Sequence, residues 1–169
     1  MRAAAVGAVA AMLSGAAGGL VWRSVTRTPS YQVTRDGAYL DESGLATVFN
    51  ADGWFLVVGL VGGLVLGWVV ATAYPDHGWR LVVGLLAVSA VACVTAYTVG
   101  RSLGPPDLGP RLEAASAGER ILAPLRVRAS GVYLSWPVGA MAGVLFASFM
   151  RRRSAPSPGP PRDGMPTLR

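Results

Sequence analysis

The sequence predicts an all-α membrane protein: four transmembrane helices packed as a bundle, with a small β-hairpin in the first extracytoplasmic loop. Charge falls into blocks, at Arg2, residues 23–52, 76–80, 101–128 and from 151 onward. The uncharged stretches between them are about 20 residues long, and 20 helical residues rise about 30 Å, the thickness of a bilayer's hydrocarbon core. Composition agrees, since the 169-residue chain is 52% hydrophobic and only 14% charged. A soluble domain mixes charge through its length because every element has a face in water. Residues 1–150 therefore form the transmembrane domain, with spans near 3–22, 53–74, 80–100 and 131–150. Residues 151–169 form an Arg/Pro-rich tail.

The first span is rich in Ala and Gly and follows Arg2. A basic start, an apolar stretch and small residues near 16–19 also fit a cleaved signal peptide. The full-length apolar run, closed by Trp22 as an interfacial aromatic and Arg23 as an anchor, favours a retained helix. In the loop that follows, residues 31–40 alternate apolar and polar side chains around Asp36-Gly37. Asp-Gly is a strong two-residue hairpin signal because both turn positions need positive φ. Pairing outward from it sets Arg35 opposite Ala38, Thr34 opposite Tyr39 and Val33 opposite Leu40. A lone hairpin is marginal in water, so it is expected to rest on helix ends or on another part of the protein.

Asn50 or Asp52 is expected to cap the second span. Residues 74–79 then make a tight turn with Tyr74 and Trp79 at the membrane boundary, which makes the second and third helices antiparallel neighbours. Leu-Gly-Pro-Pro from Leu103 stops the third helix, and residues 111–122 offer a short interfacial helix of poor periodicity before Pro124. In the fourth span, Trp136-Pro137 either kinks the helix or marks its true start. Arg151, Arg152 and Arg153 close that span as topology anchors. The tail beyond them has five prolines and almost nothing apolar, so disorder is expected. With both termini inside, inner segments carry seven arginines and outer loops eight, so the raw count is indecisive. The dense cluster at Arg151 favours a cytoplasmic C-terminus, in a multi-pass protein of the plasma (inner) membrane.

Lipid tails are as apolar as leucine, so membrane helices associate through close packing, which small residues four apart allow. Gly59, Gly63 and Gly67 keep that spacing in the second span, with Gly62 beside them, and Gly139 and Gly143 continue it in the fourth. Gly7, Ala11, Gly15 and Gly19 repeat it in the first, while Gly84, Ala92, Ala96 and Gly100 form a weaker series in the third. Packing within the bundle is the favoured use of these seams, and a face for another protein is the alternative.

The span interiors hold no Asp, Glu, Lys or Arg. Ion-coupled carriers place ionisable groups at membrane depth, so the pattern argues against a self-contained pump. His77, the sole histidine, sits in the tight turn, and Asp76 with His77 makes too few metal ligands. Capping and solubilising charge account for Asp36, Asp41, Glu42 and Asp52. The single cysteine, Cys93, lies in an apolar span as a small hydrophobe and forms no disulfide framework. No nucleotide loop, nucleophile elbow or carboxylate pair is present. The expectation is therefore no catalytic residue, no cofactor and no metal. The net charge of +6 arises from fifteen arginines without lysine. Their place at span ends points to interfacial anchoring rather than nucleic acid.

Residues 50–55 (Asn-Ala-Asp-Gly-Trp-Phe) lead into a Gly-rich helix, and Pro124-Leu-Arg-Val-Arg precedes Tyr133-Leu-Ser-Trp-Pro137. Over residues 3–150 this pattern resembles a family of uncharacterised actinobacterial four-helix membrane proteins. The arginine-only, Ala/Gly-rich composition of a GC-rich genome agrees. The resemblance implies topology and source, and no activity.

These readings lead to a non-enzymatic scaffold or accessory partner of cell-envelope machinery, contacting the bilayer and a membrane or envelope protein through its two outer loops. Asp52, Trp54, Trp136 and Pro137 are its expected structural positions near the outer boundary. A small transporter or channel subunit, acting as an oligomer, is the rival. A lipid-directed enzyme, needing the acids of both outer loops to converge, is third. In the tail, residues 158–162 as a partner motif and phosphorylation at Ser154 or Ser157 are weaker readings than a solvated segment.

Overall fold

The computed structural model describes residues 2–34, 37–39, 42–74 and 78–154. Helix α1 spans Arg2–Val25, followed by strands β1 (Ser30–Thr34) and β2 (Gly37–Tyr39). Helices α2 (Glu42–Ala73) and α3 (Gly78–Ser102) come next. A short helix α4 (Leu108–Glu113), strand β3 (Arg120–Leu122) and a 3-10 turn (Ser130–Leu134) lead into α5 (Ser135–Ser154). Among the described residues, four stretches are long and apolar enough to cross a membrane: Gly7–Val25, Phe49–Ala73, Trp79–Ser102 and Ser130–Arg153. Large apolar side chains such as Leu13, Val61, Val94 and Leu145 face outward on all four, as expected of helices whose surroundings are apolar.

The helices alternate in direction, yet the tightest contacts join those that run parallel. Gly59, Gly63 and Gly67 of α2 meet Ser135, Trp136 and Ala140 of α5, in the same order along both helices. Gly15 and Gly19 of α1 meet Ala92 and Ala96 of α3 in the same way. Between α1 and α2 the order reverses, with Gly18 near Val58 and Trp22 at Ala51. Helices α2 and α3, expected as close neighbours, touch only sparingly. A short link holds two ends together, but the small-residue seams decide which faces close. The loop-bearing ends of all four helices therefore gather at one end of the bundle.

One boundary departs from expectation, and at another the structure decides between the two expected alternatives. Helix α2 starts at Glu42 rather than near Gly53, so Asn50 and Asp52 lie within it and cap nothing at its start. Residues 42–52 contain no proline, and the two polar side chains turn outward to bind loops, which removes the usual reason for a helix to stop there. Pro137 lies in the first turn of α5, where its missing N–H has no partner to lose, so it marks a start and not a kink.

The hairpin exists, but its register differs. Gln32 pairs with Tyr39, Val33 with Ala38 and Thr34 with Gly37. Compared with the expected pairing, each β1 residue meets a partner two positions earlier. A two-residue slip preserves the faces, because side chains alternate with a period of two. The other edge of β1 holds β3, with Ser30 opposite Leu122, Tyr31 opposite Ile121 and Gln32 opposite Arg120. That ladder is extended by Val33 N–H to the Glu119 carbonyl at 3.0 Å and Ala123 N–H to the Pro29 carbonyl at 2.8 Å. Strand β1 is thus central, in the order β2-β1-β3, and the turn dipeptide is not its only constraint. The interfacial helix expected over 111–122 is replaced by the six-residue α4 and by β3. Between them Gly118 adopts φ +97°, the one described residue outside negative φ in this turn, and its N–H bonds the Val33 carbonyl at 2.8 Å.

Candidate functional site

The loop-bearing end is where the sequence places most of its non-aliphatic chemistry. One aromatic from each helical arm meets there: Trp22, Phe55, Tyr97 and Tyr133. Their rings close a cycle, with centroids 4.9 Å apart for Trp22–Phe55, 5.7 Å for Phe55–Tyr133, 5.7 Å for Tyr133–Tyr97 and 6.3 Å for Tyr97–Trp22. Three of the four contacts are edge-on, the arrangement favoured by the ring quadrupole. Trp22 is fully buried, and its indole N–H donates to the Ala51 carbonyl at 2.8 Å. It is a core residue, not the interfacial aromatic its position beside Arg23 suggested. Gly100 makes room for its ring. Trp136 is equally buried, lying over Gly18, Gly59 and Gly62, and its Nε1 has no hydrogen-bond partner.

Above this ring, polar side chains of the helices hold the loops. Asp52 accepts from the amides of Arg128 and Ala129 at 2.9 and 3.0 Å. Asn50 accepts from the Arg27 amide at 3.2 Å. Arg23 Nε donates to the Leu103 carbonyl at 3.1 Å, and Arg111 to that of Leu122 at 2.9 Å. These bonds satisfy loop backbone groups that neither helix nor sheet can serve.

A cleft of about 330 Å³ opens between the first loop and residues 107–128, and it contains Arg27, Arg126 and Arg128 against a single carboxylate, Asp107. Arg126 lies 2.7 Å and Arg101 3.4 Å from the same Asp107 oxygen. The hydrogen bond and charge of Arg126 hold the Asp107 carboxyl below the usual range, with Arg101 adding a smaller pull against some desolvation. Beside it a second cleft, about 470 Å³, runs from Tyr97 past Arg101 to Pro105 and Pro106. The cap therefore carries an excess of guanidinium groups. Among the described residues no three His, Cys, Asp or Glu side chains gather closely enough to hold a metal ion.

The seam glycines Gly59, Gly63, Gly67, Gly139 and Gly143 lie away from this cap, between α2 and α5, where a Cβ at any of them would strike the partner helix. At the opposite end Arg151 donates to the Ala71 carbonyl at 2.6 Å and closes the C-terminus of α2. The guanidinium of Arg153 stacks 4.3 Å from the Phe149 ring, and Arg152 is exposed. Trp54 is partly exposed on α2. Cys93 is buried, its thiol 3.6 Å from the Tyr133 carbonyl. Asp36, Asp41, Asp76, His77, Ser157 and residues 158–162 lie outside the described residues. Sequence reading missed the aromatic ring, the Asp107–Arg126 pair and β3, because each joins residues well separated in the chain. The tyrosines at 97 and 133, near the same ends of two spans, were the one available signal. Comparison with protein-family models, curated proteins and solved structures finds no match to this chain.

Proposed function

We propose that the chain is a multi-pass plasma-membrane protein whose loop-bearing end is a preformed docking cap for a membrane or envelope partner, making it a non-enzymatic scaffold or accessory subunit. The observation that carries this reading is the β1–β3 pairing. It ties the first loop to the second and makes one built surface out of two connections. Tyr39, Phe49 and Leu122 stand exposed around it, Phe49 at 78%. Exposed apolar groups beside a polar rim are the usual composition of a contact surface. The bundle centre at this end is filled by Trp22, Phe55, Tyr97, Tyr133 and Trp136, which favours a scaffold over a conduit through one chain. Membership of the actinobacterial four-helix family, and cytoplasmic termini, belong to the same proposal.

Crosslinking in intact cells from a photoreactive residue at Phe49, followed by purification, tests the docking cap. A discrete adduct that a probe at Arg152 does not give is the expected result. Absence of any adduct from Phe49, Tyr39 and Leu122 alike would overturn the reading. Cysteine accessibility, with Cys93→Ala as background, checks orientation. Labelling from outside at Phe49 and Glu113 but not at Ser157 is expected.

A further inference from the structure

One face of α3 changes character along its length, and apart from Tyr97, which also packs in the aromatic ring, packing within the bundle does not use it. Ala90, Val94, Tyr97 and Arg101 follow one another at three- and four-residue intervals and so lie in one stripe. The lower part of the stripe walls an apolar groove of about 440 Å³, whose other side is Leu134 and Pro137. Val94 and Leu134 are each 63% exposed in it. The upper part walls the polar cleft of Arg101 and Ser102. Tyr97 lines both, so groove and cleft adjoin at this residue. From Ala90 to Ser102 the helix rises about 18 Å, close to the roughly 15 Å of hydrocarbon in one leaflet.

We propose that this stripe binds one anionic phospholipid, with an acyl chain in the groove beside Val94 and the headgroup phosphate at Arg101. Charge decides the occupant. Arg101 and Arg126 share one oxygen of Asp107, which leaves one positive charge in excess where the groove meets the cap. Arg101 holds Asp107 at only 3.4 Å, a long contact that a phosphate improves on, since guanidinium matches its oxygens in a forked geometry. Thr98 and Ser102 direct their hydroxyls to carbonyls of their own helix and contribute shape rather than donors. A partner helix would fill the apolar groove equally well, but it would leave the excess cation at phosphate height without a counterpart.

The site rests on the membrane-spanning reading, and the two fail separately. Extraction of the chain from membranes by alkaline carbonate would remove the membrane reading itself. The lipid site is tested on full-length protein in mild detergent, by native mass spectrometry with equimolar phosphatidylglycerol and phosphatidylcholine. One retained phosphatidylglycerol per chain, in preference to phosphatidylcholine, is expected. Arg101→Gln should lower that preference about fivefold, the weight of one arginine at an anionic membrane surface. Val94→Trp should reduce retention of both lipids, and Arg152→Gln should change neither. Equal retention of the two lipids by the unmodified protein overturns the proposal, whatever the variants do. Displacement of the lipid by millimolar inorganic phosphate would mark a small-anion site instead. A change of oligomeric mass in Val94→Trp with the lipid preference intact would show that protein covers the groove.

Discussion

The α2/α5 seam and the loop-bearing end of the same bundle are held together by opposite means. Along the seam, Gly63 faces the Trp136 carbonyl, Gly67 that of Ala140 and Gly143 that of Leu64. Side chains are absent there so that backbones can touch. At the loop-bearing end, large rings fill the centre, and Asp52 and Asn50 reach out to loop amides. The difference follows from what each region must satisfy. Inside a helix pair every backbone group is already bonded, and association depends on close van der Waals contact. Where the chain leaves the helices, amides lose their partners, and side chains must supply them.

The seam should be the less forgiving of the two. Gly67→Val or Gly143→Val places a branched side chain against backbone that cannot yield without parting the helices. Each should cost about 1–3 kcal/mol, at the upper end for the backbone clash. Thermal unfolding in detergent, followed by helical circular dichroism, measures it. Gly84→Ala is the control, because nothing lies within 4 Å of the added methyl. It should stabilise α3 by about 0.5–1 kcal/mol through helix propensity alone. A Gly84 variant as damaging as the Gly67 variant would mean that helix flexibility, not close approach, is what the glycines supply.

At the other end, Asp52→Ala removes the acceptor of two loop amides and should cost about 1–2 kcal/mol, less than the seam variants. Hydrogen exchange at Arg128 and Ala129 should accelerate, while the α2/α5 seam stays protected. Asp52→Asn, with one acceptor oxygen left, should fall between. Unchanged exchange at both amides would show that the second loop is held by β3 rather than by Asp52.

Legibility in the sequence divides along the same line. Four apolar stretches, a hairpin and the seam glycines are local patterns of period or spacing, and periodicity can be read without a fold. The start of α2 could not be read so, because Asn50 and Asp52 resemble caps until the loops they bind are in place. Nor could the register of β1, since β3 lies some ninety residues further on and carries only three residues of strand. Trp22 beside Arg23 has the local mark of an interfacial anchor. Only the arrival of Phe55, Tyr97 and Gly100 from two other helices makes it core. Local order was legible, and assembly of the cap from both loops was not.

The two buried tryptophans sharpen the contrast within one residue type. Trp22 donates its N–H to Ala51, whereas that of Trp136 has no partner. Replacing either with Phe removes the same volume, so the cavity terms are comparable and the hydrogen bond is the main difference. Trp22→Phe should be the more destabilising by about 1 kcal/mol. Equal losses would mean that the Trp22 bond is offset by relaxation of α2 around Ala51, and that ring packing alone holds this end.

The smallest expected effect is the pH dependence of the cap. Arg126 holds the Asp107 carboxyl below its ordinary range, so the folded state binds this proton less readily than the unfolded chain does. Stabilisation from the pair is therefore fully present above the ordinary carboxylate value, about pH 4, and is lost as pH falls through the lowered one. Both partners are about half exposed, and solvent screening keeps the contribution small. Acid titration between pH 5 and pH 2 should accordingly loosen residues 103–128 before the helices, as read by exchange of their amides. In Asp107→Asn that difference between cap and bundle should shrink. A cap that opens at the same pH in both proteins would show that the Asp107 pair does not set its acid sensitivity.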